Sequence, residues 1–355
     1  MSSYRILGLM SGTSLDGLDI VDVLLSKVSK DQWKFEVLHA ETVDYSEDWQ
    51  FRLGNSANES GIGLTQLSND LGNYFGDAVN DFLARNVIRR DDIAAISSHG
   101  HTVFHQPKEG YTLQIGNGPE LAHKTGLLTV CDFRVNDVLL GGNGAPLVPV
   151  GDQFLFSSSA ESFLNLGGFS NISFREKGTV LAFDICPVNI VLNKLAEQVG
   201  QKFDNLGRLG REGVIDRDAL SRLNELPFYH EAPPKSLGAE WVADEIHPII
   251  GDGVELITTF YEHIAQQIAA VLTRHKLSSV FLSGGGAKNL FLLERLKSHY
   301  GGAVILPDST IIEFKEAIVF ALLGVLRLRE EINVWCSVTG ARRDSVSGVI
   351  HNPSL

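Results

Sequence analysis

At 355 residues the chain is too long for one typical core, and two domains of about 100–200 residues each are expected. Its 44% hydrophobic and 21% charged residues are those of an ordinary globular protein, which argues against disorder and fibre. The formal net charge of −13 argues against a nucleic-acid binder, which would need a basic face, so an anionic ligand must be held by local donors or a metal.

In chain order, Tyr4–Met10 and Leu18–Leu25 read as strands, short and apolar, on either side of the turn chemistry in G-L-M-S-G-T-S-L-D-G-L-D (8–19). Together they predict a glycine-turn hairpin. Leu64, Leu67, Leu71, Phe75, Phe82 and Leu83 recur near helical spacing and predict one amphipathic helix. Ile93–Ser97 reads as a buried strand ending at S-S-H-G-H-T. The G-G-N-G-A-P stretch at 141–146 is a loop and the natural boundary between two lobes, 1–140 and 141–355. Glu161–Phe174, E-S-F-L-N-L-G-G-F-S-N-I-S-F, is again strand, glycine turn, strand. Helices are expected at about 255–276 and 287–300, with a last one at about 313–331 that is free to pack back on the first lobe. Strands mixed with helices in both halves give an α/β protein with two related lobes and a cleft between them. Three scattered cysteines, Cys131, Cys186 and Cys336, form neither a metal spacing nor a disulfide framework and suit a reduced, cytoplasmic setting. Neither a signal peptide nor a membrane span of about 20 apolar residues is evident.

A turn lacking bulky side chains brings backbone N–H groups close to an anion, and Gly12 and Gly17 permit the angles and approach that this needs. Ser11, Thr13 and Ser14 add hydroxyl donors. Asp16 or Asp19 could hold Mg2+, directly or through water, because hard cations prefer oxygen ligands. One tight hairpin wants Gly, Asn and Asp for conformational reasons alone, so a single turn decides nothing. This turn has company. S-V-F-L-S-G-G-G-A-K-N-L-F-L-L-E-R-L (279–296) runs from a strand through three glycines into a helix, whose N-terminus is a ready anion or nucleotide site. It is no dinucleotide fingerprint, because Asn289 stands where a third glycine belongs, and no Walker loop, because no G-K-[ST] follows. Three separated glycine-rich turns fit a split phosphate clamp better than one Rossmann site.

This arrangement resembles the superfamily of acetate and sugar kinases, heat-shock chaperones and actin. Two ribonuclease H-like lobes there grip a nucleotide between two phosphate hairpins and a glycine-rich adenosine turn. G-L-M-S-G-T-S-L-D-G-L-D is similar to the N-terminal signature of anhydro-N-acetylmuramic acid kinases. The match continues with S-H-G-H-T-V-F-H-Q-P (98–107), L-Q-I-G-N-G (113–118), C-D-F-R-V-N-D-V-L-L-G-G-N-G-A-P-L-V-P (131–149) and L-N-L-G-G-F-S-N-I-S (164–173). It ends with L-S-G-G-G-A-K-N (282–289), K-E-A-I-V-F-A-L-L (315–323) and S-V-T-G-A (337–341). On these motifs, in order from end to end, the chain is identified as a member of that family.

The resemblance implies an actin-like ATPase fold with a nucleotide cleft, ATP and Mg2+ as cofactors, and a small amino-sugar substrate. Family members use ATP and water to open the 1,6-anhydro bridge of anhydro-N-acetylmuramate and phosphorylate O6, salvaging cell-wall sugar. By motif position, Asp184 in A-F-D-I-C-P-V-N would be the base that activates water. Ser11, Gly12, Thr13, Ser14, Leu15, Asp16, Gly17, Leu18 and Asp19 would cradle phosphates together with Gly167 and Gly168, Asp16 and Asp19 holding the metal. Gly284, Gly285, Gly286 and Asn289 would sit by the adenosine. Arg134 could pair with the sugar's lactyl carboxylate as a planar fork. His99 and Asn165 would be polar contacts to the substrate, and Glu316 a second cleft carboxylate. Neither nucleic acid nor membrane is expected as a partner, and a homodimer is left open.

The sequence departs from the family in two places. The base motif usually reads D-T-G-P-G-N and is D-I-C-P-V-N here, so Ile185 lacks a hydroxyl and Cys186 and Val188 replace glycines. If those glycines had positive φ, Val would be strained, and the loop should run differently. K-S-T-G likewise becomes K-S-L-G (235–238). Other readings stay open: a kinase of this fold for another sugar, a nucleotide-binding switch of the chaperone or actin type, a Cys186 nucleophile, and zinc at His99, His101 and His105. Asp184 could instead cap the helix beginning near Pro187, and Glu316 could be a carboxylate favoured by a helix dipole.

Overall fold

The computed structural model describes residues 2–251 and 253–353. Its strands are β1 (Ser3–Ser11), β2 (Gly17–Ser29), β3 (Gln32–Asp44), β4 (Ala95–Gln106), β5 (Tyr111–Ile115), β6 (Thr129–Cys131), β7 (Ser162–Leu166), β8 (Phe169–Glu176), β9 (Thr179–Pro187), β10 (Ser279–Ser283), β11 (Ala303–Ile305) and β12 (Val349–His351). They form two sheets in two compact units. The first unit runs to Phe156 and takes up the chain again from Phe314; the second is Ser157–Glu313.

In the first unit the order is β12-β6-β4-β1-β2-β3, with β5 on β4. β1, β2 and β3 form an antiparallel meander, and β4 and then β6 add in parallel beyond β1. Ile6, Leu7 and Leu9 are all fully buried, the continuous apolar run of a strand covered on both faces. Leu7 and Leu9 pack with Leu71, Phe75, Val79 and Phe82 of the helix Gly61–Arg85, which Ser60 caps by accepting from the Gly63 N–H at 3.0 Å. The helix Ser309–Leu328 lies close on β1 and β4. A Cβ at Gly8 would run into the Ala317 carbonyl, and one at Gly324 would sit 2.5 Å from Ser97 Oγ.

In the second unit the order is β11-β10-β7-β8-β9. Here β7, β8 and β9 are the antiparallel meander, while β10 and β11 add in parallel beyond β7. The two sheets therefore share a core of identical order and direction. The second core gathers around the helix Ile257–Arg274, buried along nearly its whole length, with Asn189–Glu197 and Leu290–His299 beside it.

The units divide differently from a cut between 140 and 141. The helix Val148–Leu155 stays with the first unit. It packs on β3, the Phe35 and Phe156 rings meeting at 5.2 Å, and Asp152 pairs with Lys315 at 2.6 Å, both almost fully buried. Residues from Phe314 onward also belong to that unit, because the close contacts at Gly8 and Gly324 are made by this part of the last helix.

Candidate active site

The β1–β2 hairpin closes with Met10 opposite Asp19 and Ser11 opposite Leu18, leaving 12–16 as the turn. Its left-handed position is Leu15 (φ 60°), and neither Gly12 nor Gly17 adopts that conformation. Gly17 is required by closeness instead: a Cβ there would lie 2.5 Å from the Val43 carbonyl oxygen of β3. At Gly12 a Cβ would meet only Ser14, at ordinary contact distance, so this part of the turn is open. Thr13, Ser14 and Asp16 are exposed, whereas Leu18 is buried and Leu15 packs partly against the core. Ser11 is turned inward, its hydroxyl 2.7 Å from the Tyr45 hydroxyl and 2.9 Å from His101 Nδ1. Ser11 thus anchors the turn, and Thr13 and Ser14 are the hydroxyls it offers to solvent. Asp19 accepts from the Thr42 hydroxyl at 2.6 Å, which orients its carboxylate.

The same unit brings His99, Arg134 and Glu316 together. His99 Nε2 accepts from Arg134 Nε at 3.0 Å and Nη2 at 2.9 Å, while its Nδ1–H donates to the Gly100 carbonyl at 2.9 Å. Burial holds this imidazole well below its usual range, so it stays neutral. Arg134 Nη1 donates to the Gly144 carbonyl at 2.7 Å. Three of its five N–H groups are thereby used. Burial draws Arg134 down to about 10, against the pull of Glu316, and it remains a cation at neutral pH. Surrounding protein raises the Glu316 carboxyl, opposed by Arg134 and Lys315, although the side chain is exposed. A carboxylate can be reached by water and still lose hydration to its neighbours, and the two cations offset part of that loss.

Two residues that carried no role in the sequence fix this cluster. Asp137, fully buried, accepts from the Gly144 N–H at 2.7 Å and from the Thr339 hydroxyl at 2.8 Å. The Asn143 N–H donates to the Thr339 carbonyl. The 141–146 loop is therefore pinned from two distant motifs, and its Gly144 carbonyl in turn orients Arg134. Their signal was V-N-D directly after Arg134 and T-G in S-V-T-G-A. The three histidines of H-x-H-x3-H serve separate partners, His99 on Arg134, His101 on Ser11 and His105 on Thr112. Burial holds His101 down to about 4. No group of three metal-ligating side chains occurs among the described residues.

In the second unit the Gly167–Gly168 turn joins β7 to β8. The carbonyl of Gly168 accepts from the Val188 and Ile190 N–H groups, and that of Gly167 from Asn189, so the turn caps the helix Asn189–Glu197. Gly284 has φ 78° and ψ 164°, and a Cβ on it would press on Asn165 Oδ1 and lie 2.9 Å from the Leu166 carbonyl. Gly286 is close-packed on Leu166, while Gly285 is exposed with nothing within 4 Å of its Cβ position. The Asn165 amide lies between the Gly167 and Gly284 turns of its own unit. Asn289 is mostly buried and caps the helix Leu290–His299, accepting from Leu292 N–H at 3.1 Å. Its amide donates to the Tyr261 hydroxyl, which donates to Asp204. Asn289 thus holds the turn, a structural place that the sequence had assigned to ligand contact. The D-N-L-G-R-L-G stretch (204–210) packs here too, since a Cβ on Gly207 would strike Asn289 and Phe291.

Asp184 stands on β9, the edge of its sheet, at a bulge where the register skips Ile185. Its N–H donates to the Lys235 carbonyl at 3.1 Å, and its Oδ2 accepts from the Leu237 N–H at 2.9 Å. The K-S-L-G loop is therefore the direct partner of the D-I-C-P-V-N strand. Burial raises the Asp184 carboxyl above the ordinary range, and the Leu237 N–H opposes it. The side chain keeps partial access to solvent. It makes no cap for the helix that follows, which takes the Gly167 and Gly168 carbonyls instead.

The divergent positions raise no glycine strain, because Val188 has φ −130° and Cys186 is likewise outside the left-handed region. Ile185, Cys186 and Val188 are all buried in the second core. Burial pushes the Cys186 thiol up to about 12, which leaves it without thiolate character at neutral pH. Ser170, itself fully buried, accepts from the Cys186 N–H at 3.1 Å and donates to the Cys186 carbonyl at 3.0 Å. Ser170→Ala removes both hydroxyl bonds in a fully buried site and is expected to cost about 1–3 kcal/mol, read as a lower urea midpoint at unchanged slope.

Two units of repeated ribonuclease H-like topology, each opening on a glycine-turn hairpin, define the two-lobed actin-like ATPase fold of the sugar kinases. A family model described as anhydro-N-acetylmuramic acid kinase matches residues 4–353. The chain is 34% identical over 370 residues to an anhydro-N-acetylmuramic acid kinase of Gloeobacter violaceus, covering 97% of both chains. It is 35% identical over 385 residues to that of Variovorax paradoxus, with 99% of this chain and all of the relative covered. A solved ROK family glucokinase from Streptomyces griseus, in complex with glucose and AMPPNP, aligns with 90% of this chain and 98% of its own at 12% identity and a TM-score of 0.41. The chain belongs to the anhydro-N-acetylmuramic acid kinase family. No described helix is long and apolar enough to cross a membrane.

Proposed function

We propose that this protein is an ATP-dependent kinase that opens the 1,6-anhydro bridge of anhydro-N-acetylmuramic acid with water and phosphorylates O6. The product is N-acetylmuramic acid 6-phosphate, in cytoplasmic recycling of cell-wall sugar. The observation that carries the sugar's identity is where the divergent side chains go. Ile185, Cys186 and Val188 fill the core behind the strand, while Asp184 keeps a partly accessible carboxylate oriented by the Leu237 N–H, its own N–H being held by the Lys235 carbonyl. The altered motif thus changes what supports the base rather than what meets the acceptor.

The open turn at Gly12 with the Thr13 and Ser14 hydroxyls, and the exposed Gly285, offer backbone that a phosphate chain and a nucleoside can approach closely. Asp16 and Asp19 supply two carboxylates, the donor set Mg2+ takes when phosphates and water complete its shell. When bound, ATP supplies the phosphoryl group and Mg2+ neutralises its developing charge. Asp184 takes a proton from water as the water oxygen bonds to the anomeric carbon and the bond from that carbon to O6 breaks. O6 thereby becomes the phosphoryl acceptor. Arg134, fixed by His99 and the Gly144 carbonyl, suits a sugar carboxylate, and Glu316, which interacts with it electrostatically, would be a second carboxylate of the site.

Supplied with ATP, Mg2+ and anhydro-N-acetylmuramic acid in 18O-labelled water, the protein is expected to yield a 6-phosphate with the label on the anomeric oxygen, read by mass spectrometry. ATP turnover with an unlabelled or different product points to another acceptor. Nucleotide binding without sugar-stimulated turnover points to a switch.

A further inference from the structure

We infer that Lys235 is a positioning residue for the Asp184 carboxylate, acting through the 235–238 loop; this rests on Asp184 being the base proposed above. Residues 235–237 form no helix or strand, yet they supply both backbone bonds that orient Asp184, through the Lys235 carbonyl and the Leu237 N–H. A loop without a ladder needs anchors: Leu237 packs against the second core, and Lys235 supplies the polar one. Its Nζ donates to the Phe228 carbonyl at 2.7 Å and stands 4.3 Å from the centre of the Phe228 ring. Phe228 packs on Trp241 at 5.4 Å and on Tyr229 at 5.9 Å. The Tyr229 hydroxyl bonds His263 Nε2 at 2.9 Å, and His263 is fully buried on the helix Ile257–Arg274. A continuous set of contacts therefore runs from the core of the second unit through Lys235 to the carboxylate. Burial holds His263 down to about 3, so this contact stays uncharged near neutrality and is no proton switch.

A merely structural lysine would affect stability alone, and a lysine that gripped substrate would affect KM. A positioning lysine affects kcat and the pH at which the carboxylate works. Lys235→Met keeps the alkyl stem over the ring and removes the ammonium. It is expected to lower kcat about 10-fold or more with both KM values near wild type. It should also raise the midpoint of the acid limb of kcat by about one pH unit, because the N–H that favours the charged carboxylate is no longer held. Lys235→Arg should recover part of kcat. In an Asp184→Asn background, Lys235→Met should cause no further loss. Phe228→Leu loosens the same anchor from its other side and should move kcat and the acid limb in the same direction, which keeps the test available should Lys235→Met not fold. Wild-type kcat and acid limb in the folded variants, or a rise in KM alone, would overturn the inference. Should Asp184→Asn by itself keep full turnover, the base assignment fails instead, and the two failures are distinguishable.

Discussion

Asp184→Asn is expected to lower kcat by about 10²–10⁴-fold, the usual weight of a positioned general base, while ATP affinity stays near wild type. Coupled ADP release gives the rate, and calorimetric titration of nucleotide gives the affinity. The amide keeps the shape of the carboxylate and its carbonyl oxygen can still accept from the Leu237 N–H, so the loop geometry survives and only basicity is lost. The sign of the stability change separates this reading from a structural one. Burial raises the Asp184 carboxyl, so the native state binds its proton more tightly than the unfolded chain does. As pH rises through the window between the ordinary carboxylate value and the raised one, the unfolded state releases the proton first, and stability falls. Ionised Asp184 is therefore a cost to the fold at neutral pH. The asparagine variant should melt at or above the wild-type temperature near neutrality and lose that advantage in acid. Activity follows the opposite course, since the base must be ionised: wild-type kcat should decline as pH falls through the raised value. A variant with full turnover, or one that melts well below wild type, would mean that the carboxylate holds the strand rather than serving the reaction.

The parts of this arrangement that were legible in the sequence are those that chain neighbours decide. Glycine turns interrupt apolar runs at 12–17, 167–168 and 284–286, and that local pattern is enough to place both hairpins and the strand-to-helix turn. β3 escaped because it is a half-exposed edge strand, although Trp33, Phe35 and Val37 alternate along it as a strand's inner face should. The domain boundary escaped for a different reason. A G-G-N-G-A-P loop looks like a linker, but Asp137 and Thr339 pin it, and Thr339 lies 202 residues further on. Spacing cannot reveal such a contact. The same holds for the two altered motifs: Leu237 of K-S-L-G donates to the retained Asp184, 53 residues away, so the two departures from the family pattern lie on either side of one contact. Ser11, Gly17 and Asn289 show the converse. Their types suited a ligand, and the fold uses them for an anchor, a close strand approach and a helix cap.

The glycines at 284 and 285 should respond oppositely to alanine, and the pair tests whether the turn serves the fold, the nucleotide or both. Gly284 combines φ 78° with ψ 164°, a region that residues with a Cβ reach only at a cost of about 1–3 kcal/mol. A methyl group there also meets the Asn165 amide oxygen and the Leu166 carbonyl, neither of which can retreat without disturbing β7. Gly284→Ala should therefore lower the melting temperature of the ligand-free protein by several degrees and weaken ATP binding as a consequence. Gly285 is exposed, outside the left-handed region, and open for 4 Å around its Cβ position. Gly285→Ala should leave the ligand-free melting temperature within about 0.5 kcal/mol of wild type in free-energy terms, as surface substitutions away from special geometry do. If the nucleoside approaches this backbone, the added methyl excludes it. The stabilisation by ATP, about 2.7 kcal/mol at a hundredfold excess over Kd, should then largely disappear at the same ATP concentration. Thermal melts of both variants with and without ATP separate the two effects. Undiminished ATP stabilisation in Gly285→Ala would remove this turn from the nucleotide site, and an unshifted ligand-free melt in Gly284→Ala would show that its backbone is not confined as described.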